Sequence, residues 1–180
     1  MRTYKTEGII IKRRNFGEAD RILTVFTKNN GKIQIKALGV RRIISRRSPH
    51  VELLNLSFLT LYKGRNLSIL TEAQTLENFS SIKSELVKVG FAYHICELID
   101  GLCPENQENR TVFFLLKNTL EALSEESDLV SVIHGFEVEL LTLLGFWPKA
   151  RSLRSSDTED FIENILERRL KSKQLFPRLI

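Results

Sequence analysis

The spacing of apolar residues changes near residue 80, and neither one sheet nor one helical bundle can accommodate both halves of the chain. Ahead of that point, short runs rich in β-branched and aromatic residues are separated by turn residues. Residues 7–14 (EGIIIKRR) and 21–27 (RILTVFT) suit a pleated, half-buried surface. Lys28-Asn29-Asn30-Gly31 supplies residues tolerant of positive φ, so the second and third strands are expected to form a hairpin. In the third strand Lys32, Gln34 and Lys36 alternate with Ile33, Ile35 and Ala37, which gives one polar, cationic face and one core face. A basic connection (VRRIISRRSPH) follows Gly39. Residues 51–61 read as a long apolar fourth strand, and Lys63–Asn66 as the turn into a fifth at about 67–74.

Beyond residue 80 the apolar residues recur at steps of three and four, the stripe of an amphipathic helix. Ile82, Leu86, Val89, Tyr93, Cys96 and Ile99 mark a first helix, ended by Gly101 and Pro104. Val112, Leu116, Leu120 and Leu123 mark a second. Leu129, Val132, Ile133, Phe136, Leu140, Leu143 and Leu144 mark a third, stopped by Gly145 and Pro148. Ser156 with Glu159 has capping-box spacing and introduces a fourth through Phe161, Ile162, Ile165, Leu166 and Leu170. The expected class is α+β and multi-domain: a five-stranded β-barrel of the oligonucleotide-binding (OB-fold) type over residues 1–79, then an all-α helical bundle over 80–180, with a polar linker at about 149–156.

A chain of 180 residues can bury a real core, and 42% hydrophobic with 27% charged residues is an ordinary globular composition. The longest apolar run is far too short for a membrane span, and MRTYKTEG lacks the apolar stretch of a secretory signal, so a soluble cytoplasmic protein is expected. Enzyme signatures are absent: no GxxxxGK[ST], no GxGxxG between strand and helix, no HExxH, no GxSxG. Cys96 and Cys103 match no zinc spacing, and His94 and Cys96 point to different faces of one helix. His94 and His134 read as locally satisfied helix histidines, and Cys96 as a small buried hydrophobe. Glu18 and Asp20 read as partners of neighbouring arginines or as shapers of their turn. No metal, cofactor or catalytic group is expected.

Charge is the informative quantity. Residues 1–80 hold 15 Lys or Arg against 6 Asp or Glu, and residues 81–180 hold 12 against 16, so a net +5 conceals +9 and −4. A basic half reads either as a solvated face or as a site for a polyanion, and clustering within residues 12–47 favours nucleic acid. Lys12, Arg13 and Arg14 end the first strand, and Arg21 begins the second across a loop holding Phe16. Lys32 and Lys36 lie on the third strand's polar face, Arg41, Arg42, Arg46 and Arg47 crowd the next connection, and Lys63 and Arg65 flank Gly64. Single-strand binding needs a cationic groove and an aromatic platform. Phe16 reads equally as a base-stacking residue or as a plug over the barrel end, while Phe26, Phe58 and Tyr62 read as core.

Residues 6–42 (TEGIIIKRRNFGEADRILTVFTKNNGKIQIKALGVRR) resemble the opening of the RecO family of bacterial DNA-repair and recombination mediators. Leu61–Arg65, Leu70–Ala73 and Leu143–Pro148 resemble later blocks of that family in order, so the likeness covers about residues 1–148. It implies an OB-fold barrel and a helical domain that bind single- and double-stranded DNA, anneal complementary strands and, with RecR, help load RecA onto strands coated by single-stranded DNA-binding protein. It implies no hydrolysis. It assigns DNA binding to Lys12, Arg13, Arg14, Arg41 and Arg42; Arg46, Arg47, Lys63 and Arg65 rest on charge and position. The acidic tail of single-stranded DNA-binding protein is the implied partner of the helical domain, with Lys117, Lys149, Arg151 and Arg154 as candidates. Many members carry four zinc-ligating cysteines after the Gly-Phe-x-Pro segment, but residues 149–180 contain no Cys and no His, so zinc is not expected and the zinc module reads as lost or replaced. The chain is expected to be monomeric alone, cytoplasmic and nucleoid-associated during repair. Two other readings are a non-catalytic adaptor with weak DNA affinity and an RNA-binding barrel.

Overall fold

In a computed structural model that describes residues 2–175, five strands close into a barrel: β1 (Thr3–Phe16), β2 (Asp20–Thr27), β3 (Gly31–Ala37), β4 (Leu56–Tyr62) and β5 (Ser68–Glu77). They are arranged in the order β1-β2-β3-β5-β4. Strand β1 pairs antiparallel with β4 along its first half and with β2 along its second, with a bulge between Ile10 and Lys12. A bulge bends and twists a strand, which lets one strand serve two sheets. A parallel β3–β5 pairing closes the ring, as in an OB-fold. Ile10, Leu23, Val25, Ile33, Ile35, Leu59, Leu61 and Leu70 fill the interior.

Two strand expectations need correction. Strand β1 extends beyond both ends of the 7–14 run. Strand β4 starts only at Leu56, because Pro49 opens a 3-10 turn at Ser48–Val51 and Leu54 takes a left-handed φ of 71°. Val51 and Leu54 are still buried, so an apolar run that reads as strand is partly core-filling loop. Ile10 ties this loop down at the bulge, donating to Asn55 O at 3.1 Å and accepting from Leu54 N at 2.9 Å.

The chain divides into two compact units. The first runs to Asn78 and also takes in Pro104–Phe113, which the change of period near residue 80 assigns to the helical part. The added segment lies along the β2–β3 hairpin: Asn106 N donates to Lys32 O at 2.8 Å, Gln34 Nε2 to Glu105 Oε1 at 2.8 Å, and Arg110 to Asn29 Oδ1 at 2.6 Å. Strand β3 meets β5 only at Ile35 and Lys36, so this segment covers the part of its edge that β5 does not reach. Gly31 accommodates the approach. Its φ is +65°, and a Cβ there would lie 1.9 Å from the Gln107 carbonyl oxygen.

The second unit is helical: α1 (Ser80–Lys83), α2 (Leu86–Leu102), α3 (Arg110–Glu125, its first turn belonging to the barrel unit), α4 (Leu129–Leu143), α5 (Ser155–Leu166) and α6 (Lys171–Leu175). The α3 stripe is buried as its spacing predicts, at Val112, Leu116, Leu120 and Leu123. The α2 stripe is buried only in part: Ile82, Cys96 and Ile99 are buried, but Leu86 is 69% exposed and Tyr93 is exposed. A break at Ser84–Glu85 also separates Ile82 from α2. Phe91, Ile95, Leu98 and Leu102 join Cys96 and Ile99 on the buried side. The Ser156 capping box does not form: Ser156 lies inside α5, with its hydroxyl on Asp157, and Glu159 pairs with Lys173. A side-chain cap appears at α4, where Asp128 accepts from Ser131 N at 3.2 Å and Ser131 Oγ at 2.7 Å.

His94 is satisfied, but not locally. Its Nδ1 lies 3.0 Å from Ser172 Oγ and its Nε2 2.6 Å from Glu137 Oε1, all three residues being buried. Beside it, Glu97 accepts from Arg168 at 2.5 Å and from the Lys171 and Ser172 amides at 2.8 Å each, capping α6. Burial alone would raise the Glu97 carboxyl, but these donors outweigh it and hold the group at about 2. Among the described residues, no helix is long and apolar enough to cross a membrane.

Two stability predictions follow from these contacts. Gly31→Ala forces a Cβ against the Gln107 backbone and should destabilise the barrel by about 2–4 kcal/mol in urea unfolding. Glu97 has a folded-state value below its ordinary 4.5, so its contribution is present above that value and is lost as pH falls toward 2. Glu97→Gln should lower stability by about 2 kcal/mol at pH 7 and by progressively less toward pH 2, read from thermal melts across that range.

Candidate nucleic-acid interface

Strand register sorts the basic residues of β1–β3 onto two faces. Arg13 stands opposite the core residue Leu23, and Arg21 lies between Asn15 and Ala37, so Arg13 and Arg21 continue the inward row where the strands run past the core. Lys12, Arg14 and Phe16 alternate onto the outer face. There Ile22 lies between Arg14 and Lys36, which makes one continuous row across three strands. The Lys36 ammonium sits 4.8 Å from the Phe16 ring centroid and 3.7 Å from Asp20 Oδ2. Phe16 is 43% exposed, so it is no plug: its ring carries a cation while remaining open to solvent.

Two loops meet beside this row. The Arg41 amide donates to Ala19 O at 2.9 Å, its guanidinium to Gly17 O and Glu18 O at 3.3 and 3.2 Å, and Gly39 N donates to Asp20 Oδ1 at 2.7 Å. Gly39 permits the turn through its φ of +63°. Asp20 is thus a turn-shaping residue that also meets Lys36. Arg47 donates to Leu70 O at 2.6 Å and Leu38 O at 2.7 Å, fixing the base of the 38–47 connection to the barrel. Burial lowers the Arg21 pKa first, and the neighbouring Arg13 and Arg41 lower it further, with Glu52 opposing them. The Arg21 guanidinium therefore sits in the positive field of Arg13 and Arg41, a condition that a bound anion would relieve. Arg42, Arg46 and Arg47 line an open recess of about 590 Å³ with Asp20, Leu38 and Gly39.

Not every expected residue joins this cluster. Lys32 is 6% exposed and lies under the Glu105–Asn106 segment, so the third strand does not present the uniform cationic face its alternation suggests. Lys63 and Arg65 line a separate groove of about 910 Å³, together with Lys5, Asn29, Asn30 and Asn66 and the carboxylates Glu105 and Glu108. Phe58 is exposed rather than core, whereas Phe26 is buried. In the helical unit Lys117 is paired with Glu121 on α3 at 3.9 Å. Lys149, Arg151 and Arg154 are exposed on the α4–α5 connection, where Trp147 Nε1 donates to Arg151 O at 2.8 Å and the Trp147 ring meets Phe161 edge-on. Sequence reasoning missed the groove amides, whose signal was their place in turns, and missed Ile43 and Ile44, which are strongly exposed between the arginine pairs. Among the described residues no group of three or more His, Cys, Asp or Glu side chains is placed to hold a metal ion. Burial, then Asp100, pushes the Cys96 thiol up to about 12, out of the range of a reactive thiolate.

Comparison with known proteins bears out the resemblance drawn from the residue blocks. Residues 1–79 match the family described as Recombination protein O N terminal, and residues 83–153 match Recombination protein O C terminal. The DNA repair protein RecO of Roseiflexus sp. (strain RS-1) is 38% identical over 148 residues, covering 82% of this chain and 52% of that protein. The DNA repair protein RecO of Symbiobacterium thermophilum is 32% identical over 165 residues, covering 91% and 65% respectively. That of Alkaliphilus metalliredigens is 33% identical over 149 residues, covering 82% and 61%. The chain thus spans between 52% and 65% of the length of these relatives.

Arg46 and Arg47 are adjacent but differently employed. Arg47→Ala removes two hydrogen bonds to backbone carbonyls and should cost about 1–3 kcal/mol, with faster amide hydrogen exchange across residues 38–48. Arg46→Ala should leave both unchanged. Equal effects of the two substitutions would contradict the anchoring role.

Proposed function

The chain belongs to the RecO (recombination protein O) family, and on that premise we propose that it is a non-catalytic DNA-binding mediator of recombinational repair. The observation that carries the reading is the gathering of basic residues at one end of the barrel: Arg13 and Arg21 on the paired ends of β1 and β2 and Arg41 bonded to the Gly17–Glu18 turn, with Arg14, Arg42 and Arg46 exposed nearby in sequence. Phosphates along a strand would lie against these guanidiniums. A base would stack on the open side of Phe16, whose other contact is the Lys36 ammonium. Such contacts read backbone charge rather than sequence, so the protein would accept single and double strands. Annealing follows from the same physics: cations held on a rigid barrel reduce the repulsion between two phosphate chains and leave their bases free to pair.

The family premise extends the proposal to partners. With RecR the protein would help load RecA onto DNA coated by single-stranded DNA-binding protein, in the cytoplasm and at the nucleoid during repair. The acidic tail of the single-stranded DNA-binding protein would meet Lys149, Arg151 and Arg154, with exposed Phe146 as an apolar neighbour in sequence. Lys117, already paired on α3, is the weaker candidate. Nothing in this scheme calls for a cofactor or nucleotide hydrolysis, and the protein acts as a monomer.

The test is annealing of fluorescence-labelled complementary oligonucleotides, with salt titrations of single-strand binding. If the six arginines each displace a counterion, the log–log salt slope should be about −4 at roughly −0.7 per contact. Arg13→Ala/Arg14→Ala/Arg42→Ala/Arg46→Ala leaves Arg21 and Arg41, so it should reduce the slope to about −1.4 and slow annealing at least tenfold. Lys63→Ala/Arg65→Ala, in the groove shared with carboxylates, should change the slope by less than one. Annealing indifferent to the four arginines would exclude the barrel as the DNA site and favour an adaptor that acts through protein contacts. A strong preference for matched RNA would favour the RNA-binding reading.

A further inference from the structure

We infer that Ile43 and Ile44 form an apolar wedge that inserts against unstacked bases while the neighbouring arginines hold the phosphates. The inference rests on the DNA-binding reading and adds base contact to it. Ile43 is fully exposed and Ile44 86% exposed, in a unit whose other isoleucines are buried or half-buried. They occupy the two central positions of a turn closed by the Ser45 amide on Arg42 O at 2.9 Å. Such positions favour Gly, Pro, Asn or Asp, and a β-branched pair there gains nothing from turn geometry. It gains nothing from packing either. Neither local conformation nor the core explains two isoleucines at this place, and a ligand does.

The tip is built to hold its shape. A second turn, closed by Arg42 N on Gly39 O at 3.1 Å, leads into it, and the Arg41 amide and the Arg47 guanidinium tie its two sides to the barrel. The wedge is thus presented with little conformational entropy left to lose on binding. Two residues are too few for a stable protein–protein interface, which buries on the order of 1,000 Å² or more. They suit a base step, where aliphatic side chains of architectural DNA-binding proteins insert between neighbouring bases. The charge around them fits the same occupant: Arg41 and Arg42 precede the tip, Arg46 and Arg47 follow it, and Arg42, Ile44 and Arg46 line one recess.

The experiment uses the full chain and a single-stranded DNA oligonucleotide carrying one 2-aminopurine, whose fluorescence rises when the base unstacks. Wild type should bind with a fluorescence rise. Ile43→Ser/Ile44→Ser should bind about tenfold more weakly without the rise, at an unchanged salt slope, because no phosphate contact has been removed. Both positions are exposed, so its thermal melt should match wild type, and Ile43→Leu/Ile44→Leu should restore the rise. Wild-type affinity and an undiminished rise in the serine variant would overturn the wedge while leaving the DNA reading intact. Failure of wild type to bind DNA at all would overturn both. Flotation with phosphatidylglycerol vesicles that the serine variant loses, with its DNA binding unaltered, would reassign the tip to a membrane surface and overturn the wedge.

Discussion

Barrel closure depends on β1 serving two partners at once. Without the bulge at Ile10 and Lys12 the strand would continue flat alongside either β2 or β4, leaving the other unpaired. With it, the first half of β1 completes the sheet with β4, and the second half carries Arg13, Arg14 and Phe16 past the core with β2. The same residue that marks the bend, Ile10, fixes the loop ahead of β4 through both of its backbone polar groups. Core geometry and the presentation of charge therefore have one origin.

Guanidinium groups in this barrel divide their labour between architecture and recognition. Arg47 and Arg41 spend hydrogen bonds on backbone carbonyl oxygens, of Leu38 and strand β5 for Arg47 and of the Gly17–Glu18 turn for Arg41, and these bonds do not cancel their charge as a carboxylate would. Their positive field persists at the surface while their positions are fixed. Arg14, Arg42 and Arg46 are exposed around that scaffold. A site assembled in this way approaches a polyanion with part of its orientation already set, which lowers the entropy lost on association.

The period of the chain was legible because alternation and three-to-four spacing follow from side-chain direction alone. The β2–β3 hairpin, the burial of the α3 stripe and the OB-fold barrel came from that signal. The misplaced pieces depend on contacts between residues distant in sequence. The apolar run before Leu56 is buried as a loop, because φ at Leu54 and the pairing with Ile10 decide its course. Ser156 meets the spacing of a capping box, yet its hydroxyl bonds Asp157 and Glu159 is taken by Lys173. The site followed the same rule. Its clustering around residues 12–47 was visible as charge density, but the burial of Lys32 and the separate groove of Lys63 and Arg65 required knowing where residues 104–108 run.

That returning segment also bears on the order in which the protein can be made. A chain emerging from the ribosome presents all five strands by residue 77, yet β3 then lacks the cover that Glu105 and Asn106 provide. Its edge stays open while the length of α2 is synthesised, and open strand edges are templates for pairing with other chains. The barrel is a discontinuous domain. Its completion waits on residues encoded after the first long helix, so the two units cannot mature strictly one after the other during translation.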